Sequence, residues 1–203
     1  MKIMTATTKK TTPKTKTVKA KTVATKIPVL PNNPFVYEVF AACSKQRTKA
    51  KKVEVLKKYA HDSVMAVLIW NFDESIVSLL PEGDVPYGNT REDNSVTGTL
   101  SDKINDAVNM MNESGSSSLG SQDQGKASIR REYTKFYNFL KGGNNGLSSL
   151  RRETMFINIL EGLHPLEAEI LILVKDKKLT DKYNISKEVV SLAYPQISWG
   201  GRS

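Results

Sequence analysis

The stretch 150–178, LRRETMFINILEGLHPLEAEILILVKDKK, constrains the fold of this chain more than any other. Wound at about 100° per residue, Leu150, Met155, Phe156, Ile157, Ile159, Leu160 and Leu163 cover most of a helix circumference. Only a narrow polar arc remains: Arg151, Thr154, Asn158 and Glu161. A helix apolar nearly all round belongs in the interior, covered on several sides. Gly162 marks its end, and His164-Pro165 suits the start of the next helix, because proline's missing N–H has no partner at the first helical position anyway. The run 170–174 has no period and by itself fits a buried strand equally well. Its flanks decide for a helix: Glu167 and Glu169 stand near the start and Lys175, Lys177 and Lys178 at the end, both signs complementing the helix dipole. The expectation is two interior helices folded back on each other, with the rest of the chain packed around them.

The remaining pattern is helical too, so the fold class expected is all-α. It is a single multi-helix domain over 34–197, with a basic tail and proline connector over 1–33 and a frayed end over 198–203. Asn33-Pro34 reads as a helix cap and first residue, followed by an apolar stripe of Phe35, Val36, Val39, Phe40 and Cys43. Residues 45–60 read as a helix with Val53, Leu56 and Tyr59 inward. Residues 62–72 read as a largely buried helix capped by Asp62, with His61 at its boundary. A loop over 81–88 is punctuated by proline and glycine, and Val85 and Tyr87 are placed to dock on the core. From about 90 to 127 the composition turns to Ser, Gly, Asn and Asp, a flexible insertion with one short helix over 99–111. Residues 128–140 read as an α-helix with Ile129, Tyr133, Phe136, Tyr137 and Leu140 inward. The last helix opens at Ser186 and stops at Pro195, and Trp199 is placed to tuck back.

Charge is informative once it is divided along the chain. Residues 1–27 hold eight lysines and no acid, whereas 59–127 hold three basic and eleven acidic residues. The net +9 is therefore mostly tail, and the asymmetry suits an electrostatically steered partner. The tail has too little apolar content to offset its chain entropy, so it is expected to be disordered. Each of its lysines that neutralises a phosphate releases counterions regardless of base sequence. Lys9, Lys10, Lys14, Lys16, Lys19 and Lys21 in the tail, with Lys45, Arg47, Lys49, Lys51 and Lys52 in the next helix, form the nucleic-acid-binding set the sequence suggests. The bland alternatives are a solubilising tail and an ordinary solvated helix face.

Reactive chemistry is sparse. There is no HExxH, GxSxG, Walker-type loop or dinucleotide fingerprint. The two histidines lie 103 positions apart, which supports no triad. Cys43, the single cysteine, excludes an internal disulfide and a cysteine-based zinc site and suits the core. Glu82 and Asp84 supply too few oxygens for a calcium or magnesium site. No catalytic, cofactor or metal residues are assigned. No apolar run approaches the roughly 18–20 residues that span a bilayer, and no membrane role is expected.

Three strings, NFDESIVSLLPEGDVPYG (71–88), REYTKFYNFLKGGN (131–144) and LRRETMFINILEGLHPLEAEILILVKDKKL (150–179), are similar to an uncharacterised small-protein family of contractile-tailed bacteriophages, notably those of marine cyanobacteria. The likeness covers roughly 35–89 and 128–195; the lysine-rich tail and the Ser/Gly insertion depart from its usual compact form. It carries no assigned activity and so no site residues. It implies expression in an infected bacterial cytoplasm. Two functions are expected from the whole: a non-enzymatic accessory protein that touches nucleic acid through its tail and basic helix, or an adaptor or virion component that docks on phage or host proteins.

Overall fold

A computed structural model describes residues 27–83, Val85, Val108 and 127–201. In chain order the elements are α1 (Val36–Ser44), α2 (Lys49–Lys58), α3 (Asp62–Phe72), α4 (Ile129–Glu132), a 3-10 helix (Tyr133–Phe139), α5 (Ser149–Gly162), α6 (Pro165–Lys175), α7 (Leu179–Lys182) and α8 (Lys187–Ala193). Among the described residues the fold is all-α, with two isolated bridges, Ser78 to Leu140 and Ala127 to Leu163. Residues 1–26 of the expected tail and connector (1–33) and nearly all of the expected insertion lie outside the described residues. So does the expected helix over 99–111 apart from Val108, which is helical and buried.

The α5–α6 hairpin forms as its sequence implies. Ser148 caps α5, and α6 opens with Pro165 after the His164 ring nitrogen accepts the Leu166 N–H. The ambiguous run 170–174 is helical. Ile170, Leu171 and Val174 on α6 are wholly buried, each stabilising the fold by about 1.5–3 kcal/mol relative to exposure. α6 packs against α3, α5 and α1, and α2 lies between α1 and α8. The predicted polar arc of α5 is exposed. Leu150 is the exception to the apolar reading: in the first turn of α5 it is 75% exposed. Arg152 on the same helix is buried and, among the described residues, pairs with no acid. Its guanidinium donates to the carbonyls of Asn138 at 2.7 Å, Asn144 at 3.2 Å and Leu147 at 3.0 Å, pinning the loop that leads into α5.

Four local expectations shift. The helix expected over 128–140 is α-helical for one turn and then 3-10. Three residues per turn bring Tyr133, Phe136 and Phe139 to one side. Phe136 is buried as the α-helical period gives, but Phe139 is buried in place of Tyr137, which is 54% exposed. Trp70 on α3 meets Phe136 edge-on at 5.3 Å and stacks on Phe139 at 6.2 Å, and Phe139 meets Phe156 on α5 at 5.2 Å. The helix expected from Asn33-Pro34 begins at Val36, where Glu38 reaches back to the Phe35 N–H at 2.8 Å. α2 begins at 49 behind a Thr48 cap, and it turns Lys52, Val55 and Leu56 inward with Val53 only half-buried. α3 has the expected bounds, but its cap is the His61 ring and not Asp62.

The C-terminal segment closes over the core. Ser186 caps α8, the Tyr194 hydroxyl donates to the Leu56 carbonyl at 2.7 Å, and the half-buried Trp199 lies under the Lys187 ammonium. The Gly200 N–H donates to the buried Asp73 carboxylate at 3.1 Å.

Candidate functional site

The sequence places its basic residues at 1–58, and the structure shows where that stretch meets the folded domain. α2 ends at Tyr59, whose hydroxyl donates to the Pro28 carbonyl and accepts the Leu30 N–H, both at 2.9 Å. A phenol bridging two backbone groups of an extended segment fixes that segment against the helix end. The root of the basic tail is thereby clamped to the C-terminal end of α2. The exposed Lys57 and Lys58 stand beside it, and the Lys58 ammonium lies 5.2 Å from the Tyr59 ring centroid. Six residues after Pro28, the Pro34 carbonyl accepts from Arg130 Nε on α4 at 2.8 Å. The connector 28–34 is strapped at one end by Tyr59 and at the other by Arg130.

The space between those straps is basic and aromatic. Arg131 is exposed, and Arg130, Tyr59, His61 and Tyr133 are half-buried. The His61 and Tyr133 rings meet edge-to-face at 6.1 Å. His61 Nδ1 accepts the Ser63 N–H at 3.1 Å, which requires a neutral acceptor nitrogen. Burial, and then the Arg130 guanidinium, hold its pKa below the ordinary value. Asp62, at the start of α3, acts on His61 in the opposite sense to Arg130; Glu132 is paired with Lys135 at 2.6 Å and lies toward α5.

The residues singled out from sequence divide unevenly. Lys9, Lys10, Lys14, Lys16, Lys19 and Lys21 lie outside the described residues. Lys45 and Arg47 are exposed in the loop before α2. Lys49 is exposed and bonded to Glu188 on α8 at 2.5 Å. Lys51 is half-buried. Lys52 is 7% exposed, with its ammonium on the Asn184 carbonyl, so it staples α2 to the segment before α8 and is not on the outer surface. Its position on the inward face of α2, one turn before Leu56, is the signal that a count of lysines misses. Arg130 and Arg131 on α4 lie outside that set although they precede Tyr133 in sequence, and the fold sets Arg130 against the connector at Pro34.

A second cluster sits where three helices begin. The wholly buried Glu167, in the first turn of α6, accepts the Val36 N–H that opens α1 and the Ile129 N–H that opens α4, each at 2.9 Å. Beside it Tyr37 stacks on His164 at 5.0 Å and on Phe35 at 5.7 Å. Burial raises the Glu167 pKa, with the two N–H donors opposing, and burial lowers that of His164. Helix N-termini attract anions, and here a carboxylate of the chain itself already occupies that position. A small, mostly apolar cavity of about 20 Å³, room for about one water molecule, lies between Leu80, Pro81, Val85, Glu153, Phe156, Ile157 and Lys175. The three protons of the buried Lys175 ammonium go to the Pro81 carbonyl at 2.7 Å, the Gly83 carbonyl at 3.0 Å and Asp176 at 2.5 Å. That ammonium anchors the 81–85 loop and has no donor left for a ligand. Burial pushes the Cys43 thiol up to about 11, in keeping with a core residue. Among the described residues no group of three or more His, Cys, Asp or Glu side chains is arranged to hold a metal ion. No helix among them is long and apolar enough to cross a membrane.

The model of a family of unknown function, DUF6433, matches residues 39–119 and 104–181 of the chain. The chain belongs to this family. The DUF6433 match begins inside α1 and ends in α7, so it includes Tyr59, the basic corner and Glu167, and leaves the lysine-rich tail and α8 outside. No curated protein and no solved structure matches the chain.

Proposed function

We propose that this DUF6433 protein is a non-enzymatic phage accessory protein of the infected bacterial cytoplasm, and that it binds nucleic acid electrostatically through its N-terminal tail and the basic surface at that tail's root. The observation that carries this reading is the Tyr59 clamp, which ties the root of a segment with eight lysines and no acid to the α2 end bearing Lys57 and Lys58. The buried ionisable groups support a binding role over a chemical one. Arg152, Lys52, Lys175 and Glu167 each spend hydrogen bonds on backbone groups of another segment. Groups committed in that way hold the fold and are poor acids, bases or nucleophiles.

The test is fluorescence anisotropy with a labelled 20-nucleotide strand across a salt series, on the full chain and on a chain lacking 1–26. Binding is expected to be independent of base sequence and to weaken steeply with salt. Removing the tail should lower the slope of log K against log salt by up to about 5, since each engaged lysine contributes roughly 0.7 on a single strand. An unchanged slope after truncation would sink the proposal.

One observation favours a protein-docking role. Val77, Leu79 and Tyr137 are exposed apolar side chains at or beside the Ser78–Leu140 bridge. Exposed apolar side chains grouped near one bridge are the kind of surface a protein partner covers. A phage or host protein recovered with the chain after nuclease treatment, and lost with Val77→Ser and Tyr137→Ser, is the outcome that selects it.

A further inference from the structure

We propose that the corner between the two connector straps is a stacking platform for single-stranded nucleic acid, with Tyr133 and His61 as the ring surface and Arg130 and Arg131 as the phosphate contacts. This rests on the binding role proposed above and adds to it a preference for unpaired strands.

Three features of the corner argue for it. The first is ring exposure. Tyr133 and His61 are half-buried, unlike Phe136, which lies within the core one 3-10 turn along. The second is the state of Arg130. Its Nε is fixed on the Pro34 carbonyl, and its two terminal nitrogens make no hydrogen bond within the described residues. A guanidinium oriented by one bond and open at its fork is pre-set for a phosphate oxygen pair. The third is continuity. The connector runs from Tyr59 to Arg130, so a strand held by the tail meets this corner next. The exposed Asp62 is an acid beside His61, and the Arg130 charge also acts on the buried Glu167; Lys57, Lys58 and Arg131 are exposed basic residues.

Single strands are favoured over duplexes for a simple reason. In a duplex the base faces are stacked on one another, so a protein meets phosphates and groove edges. In a single strand each base has a π face available to a tyrosine or imidazole ring, and stacking is tolerant of base identity. A purely electrostatic tail gives no such discrimination in favour of the strand with the lower charge density.

The experiment compares a labelled 20-nucleotide strand with its duplex on the full chain at about 0.1 M salt, a range in which surface charges still act. The full chain is expected to bind the strand more tightly than the duplex. Tyr133→Leu keeps an apolar side chain and removes the ring; it should weaken strand binding about five-fold or more and leave duplex binding nearly unchanged. His61→Asn keeps a capping residue on α3, removes the second ring, and should act in the same direction; it carries the test if Tyr133→Leu melts before it can be assayed. Arg131→Gln should weaken both ligands alike. Equal loss on strand and duplex in the ring variants, or no loss on either, overturns the platform while leaving the tail's role standing. A full chain that binds neither ligand overturns both.

Discussion

Glu167 shows what a single side chain decides in this fold. Its two oxygens accept the first N–H groups of α1 and α4 while it sits in the first turn of α6, so one buried carboxylate joins three helix starts. Glutamine has nearly the same shape but one acceptor and one donor, so one of those N–H groups would face an amide nitrogen. A buried donor left unpaired costs about 1–3 kcal/mol. Glu167→Gln should lower unfolding free energy by about that amount in urea titration. A variant as stable as the parent would show that the carboxylate is not the joint. Arg152 and Lys175 use the same chemistry with the opposite sign, offering donors to carbonyls of 138–147 and of 81–83. In each case backbone groups offset part of the cost of burying a charge; for Glu167 burial still outweighs them and its pKa is raised.

At the scale of elements, the unusual feature is that both histidines cap helices. His61 on α3 and His164 on α6 each accept a backbone N–H at Nδ1, which only an unprotonated nitrogen can do. Both pKa values are lowered from 6.5, chiefly by burial. A histidine with a lowered folded pKa stabilises the fold fully above its unfolded value and loses that contribution as pH falls through the folded one. Melting temperature should therefore fall as pH is taken from 7.5 to about 5, each cap contributing on the order of 1 kcal/mol. Replacing both by Asn, a capping residue that does not titrate, should flatten that limb in a circular dichroism melt. Glu167, with a raised pKa, acts in the opposite sense: its contribution is lost as pH rises through its folded value. It is common to both chains, so the difference between them isolates the histidines. Identical acid limbs would exclude the imidazole caps as the cause.

For the whole molecule, the proposed binding role assigns stability and binding to different parts of the chain. The hydrophobic core draws on α1, α2, α3, α4, the 3-10 helix, α5 and α6 together with the residues from 179 onward, whereas the eight lysines of 1–26 are the segment proposed to bind. A chain lacking 1–26 retains Pro28, Leu30 and Tyr59, and so should keep its melting temperature within about 2 °C, a shift of roughly 1 kcal/mol or less for a domain of this size. The same truncation is the one expected to reduce the salt slope of binding. A large fall in melting temperature on truncation would mean that the tail is part of the folded body.

Much of the helical architecture is written locally. Ser148, His164-Pro165 and Ser186 announce helix starts through capping chemistry that acts within three residues, and the α5–α6 hairpin follows from apolar content and end charges alone. Cys43 in the core and Val85 docked on it are likewise legible from residue type and loop punctuation. What the sequence does not contain is any signal for contacts across a hundred positions. Glu167 looks like an ordinary first-turn acid until α1 and α4 are brought to it, and Lys52 looks like one more surface lysine until Asn184 meets its ammonium. The 3-10 turn over 133–139 has the same origin: Trp70 and Phe156 take up Phe139, and that packing outweighs the α-helical period. The chain alone determines where its helices lie and where its charge is concentrated. The tertiary structure alone decides which charges are spent inside and which stand beside the root of the tail, because burial and backbone pairing depend on segments that local chemistry cannot see.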